Sequence, residues 1–124
     1  MKKVVFLIVS MVLFSCSEKP VPEPDMLLEE EVMVAILYDT AILQAVEAYL
    51  PDKLTTNNIK IKNYIYSKYN IDSVTYYQNQ RYYASDSRKY RDMHTEVMER
   101  LEFEKTKTDT LLKQEKMGSK EPIK

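Results

Sequence analysis

Three residues could carry chemistry in this chain because each is alone or out of place. Cys16 is the only cysteine and His94 the only histidine of 124 residues. Asp39 falls on the line Val32, Ile36, Leu43, Val46 and Leu50, whose spacing is one face of a helix and otherwise apolar. A structural zinc site needs four Cys or His ligands, and a disulfide needs a second cysteine. A nucleophile needs a base beside it. One His and one Cys assemble none of these, so the sequence predicts no metal, no cofactor and no catalytic residue, and the chain reads as a non-enzyme. His94, next to Met93, reads as a surface or boundary residue. A carboxylate on an apolar seam is costly unless paired or hydrogen-bonded. Asp39 is therefore expected to meet a tyrosine hydroxyl, a helix-end amide or a basic side chain, and to anchor a tyrosine-rich hairpin of the second and third helices.

The tyrosines are the other concentrated feature. Eight of the ten lie within residues 64–90. Tyrosine offers a large apolar ring with a polar tip, which suits a thin core and a contact surface equally. Tyr64, Tyr69, Tyr77, Tyr82 and Tyr83 are the candidates. The pairs at 76–77 and 82–83 point to both sides of a helix, so they cannot all face one core.

Cys16 sits where an apolar run ends. Lys2 and Lys3 precede residues 4–14, which are apolar except for Ser10. A basic flank and a core of about ten residues are the layout of a secretory signal, and about 20 residues would be needed to span a bilayer. "LFSC", residues 13–16, resembles the lipobox of bacterial lipoproteins. That resemblance implies cleavage before Cys16, a diacylglyceryl group on its sulfur and an acyl chain such as palmitate on its new amine. A single chain holds a protein to membrane only marginally, whereas two or three hold it firmly. "SEKPVPEPD" follows, with three prolines in five residues, an extended tether.

The leader contains two of the 18 bases and none of the 19 acids, so the mature chain carries a net charge of −3. Nucleic-acid binders carry a basic excess, so no nucleic acid is expected. There is a single glycine, which removes support for tight hairpins and phosphate loops. The fold class expected is all-α: a small three- to four-helix domain after a lipoprotein signal peptide and a Pro-rich tether, with a polar C-terminal tail. The divisions are 1–15 signal peptide, 16–24 lipidated Cys and tether, 25–104 helical domain, and 105–124 a polar, partly disordered tail.

Within the domain, Asp25 is expected to cap a first helix that Pro51 ends. A second helix is expected over residues 57–69, with Asn70 taking the left-handed turn that closes it. Asp72 or Ser73 caps a third helix over 74–84, whose apolar pattern is poor. "SDS", residues 85–87, breaks it and starts a fourth, marked by Tyr90, Met93, Val97 and Leu101. Residues 23–52 hold eight acids and no base, while 53–91 hold eight bases and two acids. That asymmetry predicts either complementary packing or two opposed patches.

"KPVPEPDMLLEEEVMVAILYDTAILQA", "IKNYIYSKYNIDSVTYYQNQRYYASD" and "YRDMHTEVMERLE" together resemble the small Bacteroidota lipoproteins carrying domain of unknown function 4296. The features shared are a proline soon after the lipid cysteine, the Ile36-Leu37-Tyr38-Asp39 core, the tyrosine-ended "YSKYNI", and Tyr82-Tyr83 before the last helix. Ser87 stands near where the family's pattern has a proline. The resemblance implies a compact helical domain and brings no activity, cofactor or catalytic residue. The expected role is a lipid-anchored envelope protein on the periplasmic side of the outer membrane. It would be a non-enzymatic interaction module or an accessory subunit of an outer-membrane complex, with the membrane and an envelope protein as partners. The alternative is a module that binds glycan or peptidoglycan fragments through the same tyrosines.

Overall fold

The computed structural model describes residues 21–118. The leader at 1–15, Cys16, the start of the tether and the last residues of the tail lie outside them. The described residues form five helices and no strand: α1 (Glu30–Tyr49), α2 (Pro51–Thr56), α3 (Ile61–Tyr69), α4 (Ser73–Ser85) and α5 (Ser87–Gly118). The all-α class is as expected, and α2 is an addition. Pro51 does stop α1, but its fixed φ and missing N–H also suit the first position of a new helix, and it opens α2.

Local chemistry sets most of the joints. Asn58 is left-handed, with φ 52°, which breaks the chain before α3 and delays that helix to Ile61 rather than residue 57. Asn70 is also left-handed, and the Ile71 N–H reaches back to the Tyr66 carbonyl at 3.0 Å to seal the end of α3. Asp72 caps α4 by accepting from the Thr75 N–H at 2.7 Å. Asp86 accepts from the Arg88 and Lys89 N–H groups at 3.0 Å each, so "SDS" is both a break and a cap.

The start of α1 differs from expectation. Asp25 caps nothing. The helix begins at Glu30, and residues 21–29 run as a non-helical strap across α4. Hydrogen bonds from Asn79 and Tyr83 of α4 hold the backbone of this strap at Met26 and Leu28. The tether is therefore shorter than the proline run implied: residues 21–24 line a shallow cleft with Gln78 and Arg81, and Pro24 is buried.

The core joins Met33, Val34 and Ile36 of α1 to Ile65 of α3, Tyr83 of α4, and Met93 and Val97 of α5. α1 packs on α5, α2 and α3, and α5 packs on α4. The α1 seam is shifted from the expected one. Its deepest residues lie in the first half, and Leu50 is exposed. By length and composition α1 could cross a membrane, yet Met33, Val34 and Ile36 are fully enclosed by the other helices. The Tyr90, Met93, Val97, Leu101 stripe of α5 faces the core as predicted. Past it, α5 continues to Gly118, and residues 102–117 are exposed throughout.

Candidate functional site

Asp39 lies mid-way along α1, where α3 runs antiparallel to it. The residue is mostly buried, with 16 % of its side chain exposed. Its Oδ2 accepts from the Tyr69 hydroxyl at 2.6 Å and from the Lys68 ammonium at 2.6 Å. Both kinds of partner foreseen for it, a tyrosine and a base from the middle of the chain, are present. Its grip is on the end of α3 alone; α4 makes no hydrogen bond to it. Burial pushes the Tyr69 phenol well above its ordinary value, and the Asp39 carboxylate pushes it further. The bond to Asp39 likewise raises Lys68. The same ammonium lies 5.5 Å from the Tyr69 ring centre and 5.9 Å from that of Tyr64, within cation–π range.

A second cluster lies where α3 faces the start of α4. Tyr66 meets Tyr76 edge-on at 5.7 Å, and Tyr76 meets Tyr77 at 5.2 Å. Lys62 donates to the Tyr77 hydroxyl at 2.8 Å. That bond raises Lys62 and lowers the Tyr77 phenol, each favouring its charged form. Burial raises Tyr76 and Tyr66. Beside this cluster runs a groove of about 550 Å³. Thr40, Gln44 and Glu47 of α1 form one wall, Lys60, Lys62 and Asn63 the other, with Ile61, Ile65, Tyr66 and Tyr76 between them.

The structure thus divides the five tyrosine candidates. Tyr64 and Tyr77 are exposed, Tyr69 and Tyr82 half-buried, and Tyr83 is core. Tyr82 meets Tyr83 edge-on at 5.7 Å, on a part of α4 close to the strap and separate from the groove. Sequence reasoning missed Lys62 and Lys68, which lie against the exposed rings. The Lys68–Tyr64 pair is one helical turn apart and was visible; Lys62 meets Tyr77 fifteen positions away, which no local pattern records. It also missed Asn79, the one buried polar residue of the described core. Its amide oxygen accepts from the Leu28 N–H at 2.8 Å, and its amide nitrogen donates to the Met26 carbonyl at 2.7 Å and to the Thr75 carbonyl at 2.9 Å. One turn on, the Tyr83 hydroxyl donates to the Leu28 carbonyl at 2.6 Å. An Asn amid the Tyr pairs of a helix is its only trace in the sequence.

The acidic first helix pairs with later bases through Lys68–Asp39, Lys89–Glu30 at 3.2 Å and Arg100–Glu31 at 3.7 Å. Of the eight bases in 53–91, Lys68 and Lys89 meet acids of the first helix; Arg100 lies beyond that segment. His94 is exposed and lies edge-on to Tyr90 at 4.6 Å. Among the described residues no three His, Cys, Asp or Glu side chains are grouped to hold a metal. Every buried side-chain nitrogen and oxygen there has a partner. Among the described residues the geometry offers aromatic surface beside a groove of mixed polar and apolar lining.

The model of a domain of unknown function, DUF4296, matches residues 24–107. No curated protein and no solved structure matches the chain significantly.

Proposed function

The chain belongs to the DUF4296 family, and from that premise we propose that it is a lipid-anchored envelope protein presenting exposed tyrosines of α3 and α4 to a protein partner. The observation that supports this is a pair of exposed rings with a base beside each: Lys62 donates to the Tyr77 hydroxyl at 2.8 Å, and the Lys68 ammonium lies 5.9 Å from the centre of Tyr64. A contact residue already held in place loses little conformational freedom when a partner docks, so more of its contact energy appears as affinity. Tyrosine is enriched at the centre of interfaces, whereas lysine is depleted there, so the rings rather than the bases are the expected contacts. The role is contact, not catalysis. The Cys16 context in the sequence supports an anchor, and a single acid in "SEKP" after Cys16 favours the periplasmic face of the outer membrane.

The test is co-isolation. The full chain, recovered from membranes in mild detergent, is expected to bring down one partner in stoichiometric amount, and Tyr64→Ala with Tyr77→Ala to lose it while the domain stays folded. Recovery of the wild-type chain alone would overturn the proposal.

A second reading rests on the groove. Its volume, about 550 Å³, suits a small ligand, and its walls of hydroxyl, amide, carboxylate and ammonium groups around two tyrosines could take a glycan or peptidoglycan fragment. A melting shift on adding such fragments, lost in Tyr76→Ala, would support it.

A further inference from the structure

The chain between the membrane anchor proposed above and the folded body is short, and the reason is the strap. Residues 21–28 are not free to swing. Asn79 holds the backbone of Met26 and Leu28 through two hydrogen bonds, Tyr83 holds Leu28 again, and residues 21–24 lie along Gln78 and Arg81. Five Cα steps separate Cys16 from Val21, which span at most about 18 Å when fully extended. Were the strap loose, the free chain would reach from Cys16 to Glu29, at most about 47 Å by the same measure. We propose that the docked strap holds the outer face of α4, around Gln78 and Arg81, against the phospholipid headgroups of the membrane that carries Cys16.

The proposal rests on the anchor reading of Cys16, and it fixes an orientation that the anchor alone would leave open. Arg81 is exposed on this face, and the exposed Glu23, in the same cleft, and Asp25 of the strap outweigh its charge, so the orientation comes from the short chain and not from attraction to phosphate groups. At the other end of the body, α1 is 20 residues long and so about 30 Å. It carries α2 and the neighbouring end of the groove away from the strap.

The experiment uses the full chain, made in a lipoprotein-processing bacterium and reconstituted into phosphatidylethanolamine–phosphatidylglycerol vesicles with a headgroup-linked acceptor dye. A donor dye is placed on Arg81→Cys or on Thr56→Cys at the end of α2. Mass spectrometry of the N-terminal peptide reports the state of Cys16. Transfer from position 81 is expected to exceed that from position 56 severalfold. Ten Gly/Ser residues inserted after Glu18, which leave the fold untouched, are expected to bring the two values together; Tyr83→Phe should narrow the gap by loosening the strap. Equal transfer at 81 and 56 with Cys16 acylated would overturn the proposal and leave the anchor standing. A gap that survives the insertion would overturn the role of the short chain. An unmodified Cys16 would overturn the anchor and the proposal together.

Discussion

The Tyr69 hydroxyl donates to Oδ2 of Asp39 across 2.6 Å, joining the last turn of α3 to the middle of α1. The bond is partly buried and its acceptor is charged, which places it among the stronger hydrogen bonds of the fold.

Asp39→Ala and Asp39→Asn should both lower the melting temperature. Hydrogen bonds to a charged group contribute about 1.5–3 kcal/mol, whereas the more exposed Lys68 pair adds about 0–1 kcal/mol. For a domain this size about 1 kcal/mol corresponds to about 4–8 °C. Tyr69→Phe should account for most of the cost of Asp39→Ala, with a coupling between the two sites in a double-mutant cycle followed by circular dichroism. Unchanged melting in all three variants would remove Asp39 as an anchor.

Alkaline pH should unfold the protein through its tyrosines. Tyr69, Tyr66, Tyr76 and Tyr83 are all raised, chiefly by burial. A group raised in the folded state gives stability that is complete below its unfolded value, near 10 for tyrosine, and is lost as pH rises beyond it. Tyr77 is lowered by its bond to Lys62 and has the opposite sign. Phenolate absorbance should therefore show an early component that Tyr77→Phe removes, and a late one that appears together with loss of helix.

Acid should weaken the two caps. Asp72 is lowered mainly by the Thr75 N–H and Asp86 mainly by the Lys89 N–H. A lowered carboxyl gives stability above its unfolded value, near 3.9, and loses it as pH falls through the folded one. Asp72→Asn and Asp86→Asn, whose amides still accept a hydrogen bond, should flatten the acid limb of the melting curve between about pH 4 and pH 2 while changing the neutral value less than alanine does.

Asn79→Ala should free the strap and destabilise the fold by about 1–3 kcal/mol, because the Leu28 N–H and the Met26 carbonyl lose their partner. The sharper readout is amide hydrogen exchange. Leu28 should change from protected to fast, while the Met93 and Val97 amides speed up only by the drop in global stability. Protection at Leu28 in the variant would mean that the strap is held by something other than Asn79.

Removing residues 105–118 should leave the melting temperature within a few degrees, since that part of α5 is exposed on all sides. Ile36→Ala, at a site with no exposure, should cost about 2–5 kcal/mol and leave much of the chain unfolded by circular dichroism.

The sequence made some of this legible for local reasons. Met93, Val97 and Leu101 recur with helical spacing, Asn70 can adopt a left-handed turn, and Asp72 precedes a free first-turn amide; each signal is complete within a few residues. Asp39 was visible as a conflict between its charge and its neighbours. The strap was not legible, because Asn79 and Tyr83 act on backbone more than fifty positions away, and no local pattern records that. Asp25 looked like a cap only while the chain after it was assumed to be helical. The poor pattern of α4 has the same origin: its inner face is lined by Asn79 and Tyr83, which satisfy backbone polar groups and so replace the aliphatic residues a periodicity search counts.

The long loops closed by Asn79 and Tyr83 also order events in time. A chain threaded N-terminus first presents its beginning while α4 is still to come, and the bonds at Met26 and Leu28 cannot form until residue 83 has followed. On the reading proposed for Cys16, the processing enzymes would meet that cysteine on a slack leash, and only afterwards would the finished bundle reel it in.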